Sequence, residues 1–181
     1  LKAEDYAKLD LRQLRDAIQK AGIDQADQSV AYFLLQSNYD DALDRLAPEH
    51  VWPFFAEQPD FLAEALGLLP SQLHGYYESY NVAAALQILS YFPQLPTQFI
   101  PRLLELALGE SKSYRLQAQQ LLQRLPDIRL RAEEGLASSK QEIRIVAAEW
   151  LVRLNDVAAI AALQTALKKE TDRLSKDRLA A

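Results

Sequence analysis

Cysteine and methionine are both absent from the 181 residues, and histidine occurs only twice, as His50 and His74. Without cysteine there are no disulfides, zinc ribbons, iron–sulfur clusters or thiol nucleophiles. With only two histidines, 24 residues apart, the reading is that no metal is bound. No stretch of about 18 apolar residues occurs, so the reading includes no membrane span. No basic-then-apolar signal segment opens the chain. The chain begins at Leu1 without a methionine, and the expectation is a processed chain or a piece of a longer protein. Glycine is scarce at 5 residues, and the 8 prolines fall between apolar runs. That pattern argues against a strand-rich sandwich and for packed helices.

What is present is leucine, at about one residue in six, well above the usual share. Hydrophobic residues make up 49% and charged residues 25%, the composition of a globular chain with a core. The net charge of −5 is unevenly placed. Residues 1–99 hold 6 Lys/Arg against 14 Asp/Glu, and residues 100–181 hold 14 against 11. Duplex-DNA binders usually carry a stronger basic excess, so nucleic acid is disfavoured as a partner, with weak phosphate contact allowed in the second half.

Helical periodicity runs through the chain. Asp10 precedes Leu11, Leu14 and Ile18, and Gly22 closes that segment. Apolar stretches follow at Val30–Gln36 and Tyr39–Leu46, the latter ended by Pro48. Asp60 is placed as the N-cap of a helix over Phe61–Leu68, ended by Gly67 and Pro70. From Ser79 onward, helices are expected over Asn81–Tyr91, Thr97–Leu108, Tyr114–Arg124, Ile128–Ala137, Gln141–Leu154 and Val157–Lys169. The turns between them have two to five residues, which forces antiparallel neighbours.

The decisive feature is internal similarity. Residues 115–127 align without a gap on residues 144–156. Arg115/Arg144, Ala118/Ala147, Leu122/Leu151, Arg124/Arg153, Leu125/Leu154 and Asp127/Asp156 coincide. Val82 to Pro93 joins the register through Ala85, Leu89 and Pro93. The offsets match a two-helix unit, with alanine where helices cross closely and leucine filling the seam. Ile145, Val146 and Val152 lie off the main stripe of 141–154, so that helix is expected to be packed on two sides.

A second helix reading Ile143-Arg144-x-x-Ala147-Ala148-x-x-Leu151-x-x-Leu154 resembles a HEAT repeat. Phe99–Leu108 resembles the family's Pro-Leu-Leu first helix, and Ser175–Ala181 resembles the start of a further second helix. The resemblance covers roughly residues 80–181. It implies an all-α fold: a right-handed α-α superhelix of antiparallel helix pairs. The domain reading is one repeat domain over 1–181, with 1–79 a divergent cap or degenerate repeats. Trp52–Glu57, followed by Glu64–Leu68, resembles the HEAT-like region of large bacterial molybdate-regulator-like (MolR) proteins, which often carry WGR domains. That resemblance implies a bacterial, cytoplasmic protein.

The candidate binding surface comprises Arg124 and Arg153, at matched repeat positions where stacked arginines can grip phosphate, and Tyr76, Tyr77 and Tyr80 in a tyrosine-rich stretch. For the matched pair Arg115 and Arg144, the competing reading is ties to nearby acids such as Asp127 and Asp156 or to helix C-termini; for Arg153 it is an i,i+4 pair with Glu149 on a solvated face. For the tyrosines it is a turn covering a core edge. Trp52, Phe54, Phe55 and Phe61 form either a pocket or packing between helices. Trp150 replaces Leu121 in the register and is assigned to the core. Asp40, Asp41 and Asp44 lack a calcium-loop glycine and read as a solvated helix start. No phosphate loop, nucleophile elbow or zincin motif occurs. The expected function is a non-catalytic protein-interaction scaffold with a protein partner and no cofactor. The alternatives are a nucleic-acid-contacting module of the HEAT-like DNA glycosylase kind and a purely structural spacer.

Overall fold

The computed structural model describes residues 7–35, 41–70, 78–109 and 112–180, with backbone alone at 41–42, 78–81 and 172–180. Among these residues the fold is entirely helical: eleven α-helices, two 3₁₀ turns and no strand. The helices are α1 (Leu11–Lys20), α2 (Ala26–Leu35), α3 (Asp41–Arg45), α4 (Pro48–Glu57), α5 (Pro59–Ala65), α6 (Glu78–Tyr91), α7 (Ile100–Leu108), α8 (Arg115–Leu122), α9 (Ile128–Gly135), α10 (Gln141–Leu154) and α11 (Ile160–Ala180). None of the described helices is long and apolar enough to cross a membrane. The chain divides into two compact units, residues 1–102 and 103–181, with the division falling inside α7.

Helix ends in the first unit follow from local chemistry. The Asp10 carboxylate accepts the Arg12 and Gln13 backbone N–H groups at 2.9 and 3.4 Å, which caps α1. Burial pushes that carboxyl up, but the bonds from Arg12 and Gln13 outweigh it and hold it below its ordinary value. At the other end Gly22 adopts φ +76°, and Ile23 N–H reaches back to the Ile18 carbonyl at 3.3 Å. Gly67 repeats this closure after α5, with φ +74° and Leu68 N–H on the Ala63 carbonyl at 2.8 Å. Both are left-handed closures that glycine alone adopts without strain.

Two expectations here are corrected. Pro59, rather than Phe61, opens α5, with Asp60 in its first turn, because proline pre-sets the first helical residue. Residues 48–57 form α4, with Pro48 at its start and Pro53 inside it; the prolines hid that helix from a periodicity reading.

The core of the first unit is built on Phe54, Phe55, Leu62, Leu66, Ile88 and Leu89, all fully buried. Tyr91 is tied into it: its hydroxyl donates to the Leu43 carbonyl at 3.1 Å and accepts from Gln87 Nε2, which also binds Asp44.

In the second unit α9 packs closely on α10. Gly135 lies where they cross: a Cβ built there falls 2.8 Å from the Ala147 Cβ and 3.2 Å from a Leu108 methyl. Ala118, Leu122, Ala147 and Leu151 are all buried, as are Leu121 and Trp150, which share a register position. The expected end of the last helix near Lys169 is not observed; α11 runs on to Ala180. No proline or glycine lies between Ile160 and Ala180 to stop it. α10 also departs from the sequence expectation. Val146 is buried, but Ile145 and Val152 are exposed, so the helix is not packed on both sides.

Candidate functional site

The matched arginines do matched work. Arg115 opens α8, and its Nη2 donates to the Gly109 carbonyl at 2.6 Å. Arg144 lies in the first turn of α10, and its Nη1 donates to the Ser138 and Ser139 carbonyls at 3.0 and 2.9 Å. In each case the acceptor six residues upstream lies just beyond the end of the preceding helix, whose final carbonyls lack intrahelical donors. The negative end of the helix dipole favours the guanidinium there. Arg144 also binds Glu170 on α11 through Nε and is largely buried, with a side chain 12% exposed. This clasp between neighbouring helices is the helix-C-terminus alternative weighed for these arginines.

Arg124 and Arg153 are both exposed. Arg153 does not pair with Glu149; its Nη2 donates to Gln119 Oε1 at 2.7 Å. Gln119 is itself buried and gives Nε2 to the Ala107 carbonyl at 2.8 Å, so α7, α8 and α10 meet at one polar residue. Sequence reasoning missed Gln119. The only available signal was a glutamine at the register position held by Ala148. Nor do the aspartates behave alike. Asp156 caps the following turn by accepting Ala158 N–H at 2.9 Å and pairs with Arg129, whereas Asp127 binds Arg131 one turn on.

Tyr76 and Tyr77 lie outside the described residues, as does His74. Tyr80 falls in the first turn of α6, and its side chain is outside the described set. The aromatic residues near Trp52 form no single pocket. Phe54 and Phe55 meet edge to face at 5.1 Å, Trp52 leans on Phe92 at 5.9 Å, and Phe61 packs edge-on to Tyr32 at 5.7 Å. Phe54 and Phe55 sit on α4 itself, while the other two contacts tie α4 to the end of α6 and α5 to α2 within the first unit, the packing alternative. Asp44 is spent on Gln87, while Asp40 and the Asp41 side chain lie outside the described residues. Among the described residues no group of three His, Asp or Glu side chains is placed to hold a metal.

An apolar groove of about 490 Å³ lies between α10 and α11 in the second unit. It is lined by Leu136 and Ala137 beyond the end of α9, by Ile145, Ala148 and Val152 of α10 and by Leu163, Ala166 and Leu167 of α11. The Arg144–Glu170 pair closes one end. Across Ile145 lies a shallower cleft of about 570 Å³, lined by Lys112, Arg115, Lys140, Glu142 and Glu149. Three cations against two carboxylates leave it mixed in charge rather than basic.

No protein-family model matches the chain, and no curated protein or solved structure matches it significantly.

Proposed function

We propose that residues 80–181 form a HEAT-like array of two-helix repeats, and that the chain serves as a non-catalytic scaffold for a protein partner. The observation that carries the reading is the arginine clasp. Arg115 and Arg144, matched in sequence, bind carbonyls at the same six-residue distance, while Ala118 and Ala147 are equally buried. Equivalent residues in equivalent surroundings are what a stacked repeat requires. Two of the arginines that would otherwise face phosphate are turned onto backbone carbonyls, and Arg153 is held by Gln119. This supports a partner recognised through apolar anchors over one recognised through charge.

A mobility-shift titration with duplex DNA tests the reading. The expected result is no binding that weakens between about 50 and 200 mM salt. Salt-sensitive duplex binding that is lost on Arg124→Glu and Arg153→Glu would replace the scaffold reading with the nucleic-acid one.

A further inference from the structure

The exposed side of α10 carries Glu142, Ile145, Glu149 and Val152 at three- and four-residue spacing, which sets them in one row. Ile145 is 50% exposed and Val152 66%. Alongside runs α11, with Ile160 49% and Leu167 70% exposed, and Lys168 exposed beside Leu167. Two adjacent helices thus share an apolar strip and a groove, with two carboxylates along the outer edge of one helix, in the cleft of mixed charge described above, and a basic residue on the other. None of Glu142, Glu149 and Lys168 has a hydrogen bond or ion pair among the described residues. Single exposed apolar residues are ordinary; here Ile145, Val152 and Leu167 line one groove and Ile160 stands exposed on the same helix as Leu167, which marks a contact surface.

We propose that this face pairs with the same face of a second copy of the chain, about a two-fold axis running along α10 and α11. The register follows from contacts within one copy. The Arg144–Glu170 bond sets residue 144 level with 170, and the short turn at 155–159 makes the helices antiparallel. Residue 152 is then level with 162, and residue 146 with 168.

A two-fold axis along the helices preserves these levels and lays α10 of one copy over α11 of the other. Ile145 then stands within two residues, or about 3 Å along the axis, of the partner's Leu167, and Val152 within the same distance of the partner's Ile160. Lys168 falls between the partner's Glu142 and Glu149, so carboxylates meet a basic side chain on both edges of the four-helix contact. With two helices contributed by each copy, association in about the micromolar range is expected. The pairing is independent of the scaffold role.

Sedimentation equilibrium on the full chain, from about 1 to 300 μM, decides it. The expected result is a mass that rises from monomer to dimer with concentration. Leu167→Glu should keep the chain monomeric throughout while its far-ultraviolet circular dichroism is unchanged. Lys168→Glu should weaken the dimer about tenfold, and Lys168→Glu combined with Glu149→Lys should restore most of that loss. A wild-type chain that stays monomeric over the whole range overturns the proposal. So does a dimer that tolerates Leu167→Glu, or a charge swap that restores nothing.

Discussion

Gly135→Ala is the substitution on which propensity and packing disagree most clearly. Gly135 is the last residue of α9 and has an ordinary helical backbone, so alanine there gains about 0.5–1 kcal/mol of helix propensity if space allows. Space does not allow it. The new methyl would lie 2.8 Å from the Ala147 Cβ, an atom fixed to the α10 backbone with no rotamer to escape through. The two Leu108 methyls, at 3.2 and 3.4 Å, close a further side. Relief requires α9 and α10 to separate, and overpacking of this kind costs about 1–3 kcal/mol. The net expectation is a loss of about 1–2 kcal/mol.

Urea unfolding followed by Trp150 fluorescence measures it. The chain has two tryptophans, so a Trp52→Phe background leaves the probe in the second unit. Adding Ala147→Gly removes the opposing methyl, so the double variant should be about 1 kcal/mol more stable than the sum of its parts. A Gly135→Ala chain more stable than its parent would refute the close crossing and the small-residue seam argued from it.

Arg144→Met keeps the apolar stem of the side chain but removes the bonds to the Ser138 and Ser139 carbonyls and the ion pair with Glu170; a loss of about 2–3 kcal/mol is expected in the same unfolding assay. Arg115→Met should lose about 1–2 kcal/mol, and a neutral result at either site removes the clasp from the account of the fold. Asp10 supplies a pH dependence. Its folded carboxyl titrates below the unfolded one, so its contribution is fully present above about pH 4 and is lost as pH falls through the lower, folded value. Asp10→Ala should therefore cost about 1 kcal/mol at neutral pH and flatten the acid limb of the stability curve, measured by thermal melts from neutral pH downward.

The Asp10 cap and the glycine closures were legible because their causes are local, whereas the cap expected at Asp60 was displaced by Pro59. Asp10, Gly22, Gly67 and Asn155 each act on backbone groups within six residues, and the sequence around them names the chemistry. Asn155 adopts φ 52° at the end of α10, a conformation asparagine tolerates better than most residues. The span Gln141–Leu154 matches its expected bounds, and its C-terminal end falls on such a signal at Asn155. The repeat register also identified buried positions correctly at Ala118, Ala147, Leu122, Leu151 and Trp150, since a shared seam demands small and large residues at fixed places. Reading failed at α4, where Pro48 and Pro53 look like breakers but are held within a helix by tertiary packing of Val51, Phe54 and Phe55.

The sequence by itself determined that the chain is helical, where most helices start and stop, and which alanines and leucines face inward, because periodicity and capping are written within a few residues. Only the tertiary structure decided where long side chains reach. Arg144 could have faced solvent and instead spans two turns of backbone to a helix end; Arg153 passes over Glu149 to Gln119; Ile145 and Val152 are apolar yet stand beside an open groove. An arginine stem has four rotatable bonds, and its destination depends on which acceptors neighbouring helices leave unsatisfied. That is fixed by how the helices pack, and no spacing along the chain encodes it.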